Sequence, residues 1–148
     1  MEKTSVQSLN KPKVRRIIIH GIKHACFACK IADDINPEAN LVLELWSDKN
    51  GAASLGPAWF KGIIDLVHKD FPKFKIIGVL DCGDAPGHAL AALRQGISCI
   101  YTSTRPSVAM KIKMIADETH AIVRTRRPPM LNLIEQRDPC ESLRIFLS

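Results

Sequence analysis

Aromatic residues are scarce in this sequence of 148 residues, where Phe, Tyr and Trp together make up 5%. Proteins that bind single-stranded nucleic acid depend on aromatic rings that stack on bases. The net charge is +6, but the excess lies largely near the two ends of the chain, where a basic segment is a weak signal. We therefore do not expect a nucleic-acid partner.

Long apolar runs are also missing. The longest, such as IIGVL at 76–80, fall far short of the roughly 20 residues that a membrane-spanning helix needs. The N-terminus is polar and lacks the apolar core of a secretory signal. The five cysteines are irregularly spaced and do not indicate a disulfide framework. These absences predict a cytoplasmic protein with no membrane partner.

Three sequence motifs of common binding and catalytic sites are absent. The chain has neither GxGxxG nor GxxxxGK[ST], so the usual cradles for dinucleotides and nucleoside triphosphates are missing. It also lacks the GxSxG turn that presents a serine nucleophile. No cofactor can be named from the sequence, and whether the protein is an enzyme stays open.

What the sequence does contain is an alternation of short β-branched runs with amphipathic helical patterns. The runs that predict strands are VRRIIIH (14–20), LVLELWS (41–47), FKIIGVLDC (74–82), SCIYTS (98–103) and AIVRT (121–125). This alternation predicts one three-layer α/β domain with about five mostly parallel strands, in a flavodoxin-like or Rossmann-like open sheet. Half of a β/α barrel is the alternative, because a complete barrel usually needs about 200 residues or more.

The chain divides into three parts by composition. Residues 1–13 form a basic segment that we expect to be flexible, and residues 14–127 form the α/β domain. The tail, residues 128–148, begins with a Pro-Pro break and is strongly apolar. Such a tail must pack on the domain or on another subunit, so a homo-oligomer is expected. A non-catalytic oligomeric or regulatory protein is one alternative for the function.

A ligand site is expected where the strands end, because open parallel sheets bind ligands beyond the carboxyl ends of their strands. Asp81 directly ends a buried strand, where an unpaired carboxylate is costly. We therefore assign Asp81 a role as general base, hydrogen-bond acceptor or ligand for a hard metal ion. The predicted function is binding of a polar or anionic small metabolite at this rim. The candidate binding residues are Ser47, Asp48, Gly56, Asp81, Asp84, Gly87, Thr102 and Ser103.

The turn DCGDAPGH at 81–88 leads from this strand into an alanine-rich helix. Asp84 is expected to cap the helix, with Pro86 in its first turn. Gly83 and Gly87 permit a tight turn or a positive φ angle. The free N–H groups of the helix would then point at the rim and attract the anionic part of a ligand.

A second pattern, HGIKHACFACK at 20–30, carries a CxxC pair at the start of a helix. This setting is typical of thiol-redox proteins, and with two histidines it offers four zinc ligand types. A helical wheel drawn through Phe27 and Ile31 places both cysteines away from the core. A thiol-redox or metal-binding protein is therefore the other alternative, with His20, His24, Cys26 and Cys29 as its site.

The segments SDKNGAASLGPAWF (47–60) and VLDCGDAPGHALAALRQG (79–96) carry a resemblance. The chain resembles a group of small bacterial proteins that share a GPAWF-type and a VLDCGDAPG-type segment and have no established activity. The resemblance covers residues 47–96 and implies a shared α/β domain. The HxxxHxCxxC stretch is not part of that group's pattern. The positions to test are Gly56, Pro57, Trp59, Asp81, Gly83, Asp84 and Gly87.

Overall fold

The computed structural model describes residues 11–35 and 40–148, so residues 1–10 of the predicted N-terminal segment lie outside it. The strands are β1 (Lys13–Ile18), β2 (Leu41–Trp46), β3 (Lys75–Asp81), β4 (Cys99–Tyr101), β5 (Ile122–Arg124) and β6 (Leu131–Asn132). The helices are α1 (Ile22–Ile35), α2 (Gly51–Ser54), α3 (Pro57–Asp70), α4 (Pro86–Arg94), α5 (Pro106–Glu118) and α6 (Pro139–Leu147). A 3₁₀ turn, Leu133–Glu135, joins β6 to α6.

Proline sets the start of four of these helices. It occupies the first helical position of α3, α4, α5 and α6. At that position its fixed φ angle suits the helix, and its missing N–H group would have had no intrahelical partner. The sequence therefore marks where these helices begin more clearly than where they end.

All strands pair in parallel within one sheet of order β5-β4-β3-β2-β1-β6. The prediction of a single α/β domain with an open parallel sheet is confirmed. Each of the five predicted apolar runs forms a strand, and the sixth strand, β6, comes from the tail and pairs with β1. No helix within residues 11–35 and 40–148 is long and apolar enough to cross a membrane.

The helices cover only one face of the sheet. Right-handed crossovers between consecutive neighbouring strands bring every connecting helix to the same side. Strand residues such as Ile17, Leu43 and Ile100 pack with the helices in one core, whereas Trp46 and Val79 face the other way. The second cluster contains no helix residue among those that the structure describes. The fold therefore has two layers, and the expectation of three layers is wrong.

The strand order differs from both named examples of an open sheet. Rossmann-like and flavodoxin-like sheets reverse direction at a switch point, which sends helices to both faces. Here β1 to β5 follow one another without a reversal, as the strands of a β/α barrel do. The sheet nevertheless stays open, with β5 at one edge and the two-residue β6 at the other.

The tail is part of the same core. Leu133, Leu143 and Leu147 are buried in the main cluster, and α6 packs against α1. In the middle of the sheet, Gly78 allows α3 to approach closely, because a Cβ atom there would overlap the side chain of Ile64. With the helices held on one side, the opposite face of the sheet, which we call the open face, is crossed by the segment 125–130.

Candidate ligand-binding site

Three buried polar residues tie the ends of neighbouring strands together. Ser47 and Thr102 follow β2 and β4, and Asp81 ends β3. The Asp81 amide donates a hydrogen bond to Ser47 Oγ at 2.9 Å, and the Ser47 hydroxyl donates to the Asp48 carbonyl at 3.0 Å. The Thr102 hydroxyl reaches the Gly83 carbonyl at 3.3 Å. The predicted rim residues Ser47, Asp81 and Thr102 therefore do lie together.

Both oxygens of the Asp81 carboxylate accept a hydrogen bond from within the protein. Its Oδ2 accepts a hydrogen bond from Arg127 Nη1 at 2.6 Å, and its Oδ1 accepts from the Gly83 amide at 2.8 Å. Only 3% of the Asp81 side chain and 13% of the Arg127 side chain are exposed. Asp81 thus holds Arg127 in place, and the general-base role stays a prediction.

Arg127 is the main site residue that sequence reasoning missed. Its Nη2 also donates to the Ser47 carbonyl at 3.3 Å, and its guanidinium lies 5.5 Å from the centre of the Trp46 ring. It belongs to the positive charge near the end of the chain, which by itself is a weak signal for a site. The available signal was the buried strand-end Asp81, which requires a cation, but nothing local in the sequence identifies which one.

A cleft of about 230 Å³ opens beside this ion pair at the carboxyl ends of β3 and β4. We call it the rim cleft. Four of its lining side chains make no hydrogen bond to any residue that the structure describes: Lys49, Asn50, Tyr101 and Ser103. The complete lining is Lys49, Asn50, Asp81, Gly83, Asp84, Tyr101, Ser103 and Arg127.

Backbone geometry shapes the floor of the rim cleft. Gly83 has a φ of 60° and Asn50 a φ of 56°, both in the left-handed region where most side chains are strained. A Cβ atom on Gly83 would also lie 2.9 Å from Asn50 Oδ1. The glycine in DCGD is therefore required by its conformation and by the close approach of Asn50.

Asp84 does not cap α4, contrary to the expectation from its sequence position. The helix begins at Pro86, so the capping position falls on Ala85, which has no side-chain hydrogen bond to offer. Asp84 stands one residue too early and is exposed at the rim cleft. Gly87 lies in the first turn of α4 without a positive φ angle. Capping by Asp84 is thus a corrected prediction.

Not every predicted binding residue reaches the rim cleft. Asp81, Asp84 and Ser103 line it, whereas Ser47 and Thr102 are buried behind it. The other three predicted residues are outside its lining. Of these, Asp48 pairs with a histidine, Gly56 precedes α3 with a φ of 86°, and Gly87 belongs to α4.

His20 and Asp48 form a pair next to the rim. His20 Nε2 lies 3.2 Å from Asp48 Oδ2, and the His20 amide donates to His24 Nδ1 at 3.2 Å. Burial raises the pKa of Asp48, but hydrogen bonds from the Lys49 amide and His20 outweigh it, so the pKa is lowered overall. Burial and the neighbouring His20 both lower the pKa of His24.

The CxxC pair lies differently from the helical-wheel expectation. Cys29 is fully buried in the core, whereas 40% of Phe27 is exposed. Burial, together with the neighbouring Cys26, raises the pKa of Cys29 to about 12. Because the thiolate is the reactive and metal-binding form, this environment disfavours both chemistries. Within residues 11–35 and 40–148, no three His, Cys, Asp or Glu residues come close enough to hold a metal ion.

No protein-family model and no curated protein matches this chain. The resemblance of residues 47–96 to a bacterial group therefore stays a prediction, and the function has to be inferred from the geometry.

Proposed function

We propose that this protein binds a small polar metabolite in the rim cleft. The observation that carries the proposal is the set of four hydrogen-bonding side chains that face this cleft without a partner among the described residues. Lys49 offers an ammonium group, Asn50 an amide, and Tyr101 and Ser103 offer hydroxyl groups. Polar groups that converge on a concave site are typical of ligand recognition.

The lining also limits the chemistry of the ligand. Arg127 and Asp81 neutralise each other, which leaves Lys49 and Asp84 as the two further charges of the lining. These charges are opposite, so a ligand with several hydroxyl or carbonyl groups and one anionic group near Lys49 fits better than a polyanion. The volume of about 230 Å³ is below the roughly 300 to 1,000 Å³ of sites for drug-sized molecules.

The proposal is one of binding and includes no reaction. A general base must reach the proton that it removes, and both oxygens of Asp81 already accept hydrogen bonds from the protein. Asp81 therefore acts as a positioning residue that fixes Arg127 beside the ligand.

The test is an amide NMR titration of the protein with a panel of small hydroxylated carboxylic acids. A binding compound is expected to shift the amide signals of Lys49, Asn50, Gly83 and Ser103. The Tyr101→Phe and Ser103→Ala variants should each weaken its affinity about fivefold, because a neutral hydrogen bond contributes about 1 kcal/mol. Lys49→Ala should weaken it further, whereas Lys69→Ala, an exposed lysine in the last turn of α3, should not.

Two outcomes would contradict the proposal. One is a panel compound whose shifts cluster away from the carboxyl ends of β3 and β4. The other is a compound that the Tyr101→Phe and Ser103→Ala variants bind as tightly as the unmodified protein. Either result would remove the rim cleft as the binding site.

We further propose that the protein is a cytoplasmic homo-oligomer. One surface of the described residues favours self-association. Met110, Met114 and Ile122 are 67%, 66% and 56% exposed along α5 and β5, and β5 is an edge strand of the sheet. Exposed apolar groups and an unpaired strand edge favour association. Light scattering is expected to show a dimer that Met110→Lys converts to a monomer. A monomer in both samples would contradict this.

A further inference from the structure

A buried carboxylate lies in the middle of the open face. Glu44, in β2, is 3% exposed, and its Oε1 accepts three hydrogen bonds. The donors are Arg124 Nη1 at 2.7 Å, Trp46 Nε1 at 3.0 Å and Arg16 Nε at 3.1 Å. Burial raises the pKa of Glu44, but these three donors outweigh it and lower the pKa overall, so the carboxylate is ionised at neutral pH.

Positive charge remains in excess around this carboxylate. Arg16 and Arg124 share the single charge of Glu44, and the exposed Arg126 adds a third guanidinium. The remaining N–H groups of Arg16 and those of Arg126 make no hydrogen bond to the residues that the structure describes. Two of the three positive charges are therefore left over. Arg127 does not add to this excess, because Asp81 neutralises it.

The three arginines surround one cavity. It has a volume of about 580 Å³, which is within the range of small-molecule sites. We call it the arginine cleft. Its lining consists of Arg16, Val123, Arg124, Thr125, Arg126 and Pro128. It thus shares no residue with the rim cleft.

We propose that the arginine cleft binds the phosphate group of a small phosphorylated molecule. A phosphate monoester has three terminal oxygens and about two negative charges, which match the unpaired N–H groups and the excess charge. Guanidinium groups bind such oxygens in a bidentate, planar fashion. Glu44 is a positioning residue, because it fixes two of the guanidinium groups before the ligand arrives.

A small ligand fits this surface better than a nucleic acid does. Binders of single strands combine positive charge with exposed rings on which bases stack. The Trp46 ring is fully buried, with Arg124 5.9 Å and Arg127 5.5 Å from its centre. The ring therefore orients arginines and offers no face to a base.

The first experiment measures binding of glucose 6-phosphate and of inorganic phosphate by calorimetry at low ionic strength, with glucose as the ligand control. Both phosphates are expected to bind and glucose is not. Arg126→Gln should weaken binding about tenfold, because a hydrogen bond between two charged groups is worth more than a neutral one. Arg137→Gln removes the same charge from an exposed arginine outside the arginine cleft and should leave binding unchanged.

A second variant tests the role of Glu44 independently. Glu44→Gln keeps an oxygen that can accept from the arginines but removes the negative charge. Without phosphate the variant should melt at a lower temperature, because the arginines repel one another. Added phosphate should then raise its melting temperature more than it raises that of the unmodified protein.

Three results would overturn the proposal. The first is an equal loss of affinity in Arg126→Gln and Arg137→Gln. The second is an equal rise in melting temperature on adding phosphate to Glu44→Gln and to the unmodified protein. The third is displacement of glucose 6-phosphate by an equimolar single-stranded oligonucleotide. The comparisons with Arg126→Gln and Glu44→Gln report on the arginine cleft, which shares no residue with the rim cleft, so the two proposals fail separately.

Discussion

The ion pair between Asp81 and Arg127 should contribute strongly to stability, and Arg127→Ala tests this directly. The variant leaves a carboxylate that is 3% exposed with only the Gly83 amide as a partner. Removing one partner of a buried pair costs about 3 to 5 kcal/mol. The total free energy of unfolding of such a domain is about 5 to 15 kcal/mol, so about a fifth of it or more would be lost.

The loss can be measured by urea unfolding and by thermal melting. At this chain length each kcal/mol corresponds to about 2 to 4 °C, so we expect the melting temperature to fall by roughly 10 °C. Arg126→Ala is the matched control, because it removes an exposed arginine next in the sequence and should change stability by about 0.5 kcal/mol at most.

A double-mutant cycle isolates the pair from the other contacts of Arg127. Asp81→Asn retains an oxygen for the Gly83 amide and removes the charge. The coupling energy between Asp81→Asn and Arg127→Ala is expected to be about 2 kcal/mol. If Arg127→Ala and Arg126→Ala differed by less than about 1 kcal/mol, the inference of a buried, stabilising pair would be refuted.

Three more expectations concern the rest of the molecule. Because the pKa of Glu44 is lowered on folding, its stabilising effect should be complete above about pH 4.3 and decline at lower pH, so Glu44→Gln should flatten the acid side of the stability profile. Ellman's reagent should label Cys26 and Cys140 in the native protein and all five cysteines only after unfolding. Gly78→Ala should cost about 1 to 3 kcal/mol by overlap with Ile64, and adding Ile64→Val should recover part of it.

The strands were predictable because their signal is local. Each apolar run of β-branched residues is long enough to form a strand, and prolines mark the starts of four helices. The number of helix layers was harder to predict from the sequence. Strands have similar apolar runs whether helices cover one face of a parallel sheet or both faces. One sign of the open face in the sequence is Glu44, which interrupts LVLELW in β2.

Helix α1 shows why a wheel drawn through large residues misleads. The face that α1 buries carries mainly small residues, including Ala25, Ala28, Cys29 and Ala32. Small side chains on the buried face allow a helix to lie close to its neighbours. Phe27 lies on the other side of α1 and is exposed. The prediction that Asp84 caps α4 was wrong because the turn sequence does not determine the first residue of the helix to within one position. The helix begins at Pro86, so Ala85 takes the capping position.

The ion pair at the rim was beyond sequence reasoning for a different reason. Asp81 is recognisable as a costly carboxylate, but its partner Arg127 lies beyond two further strands and their helices. The pairing depends on the path of the segment 125–130 across the open face, which no local pattern determines.

The consecutive strand order bears on how the chain folds as it is synthesised. Each of β2, β3, β4 and β5 pairs with the strand made just before it, so every new strand finds its partner already present. The exception is β6, which must return to β1 across the whole sheet, with Leu131 beside Ile17. We expect the outer edge of β1 and the face of α1 under α6 to stay exposed until translation of the tail is complete, which makes this the interval when chaperones matter most.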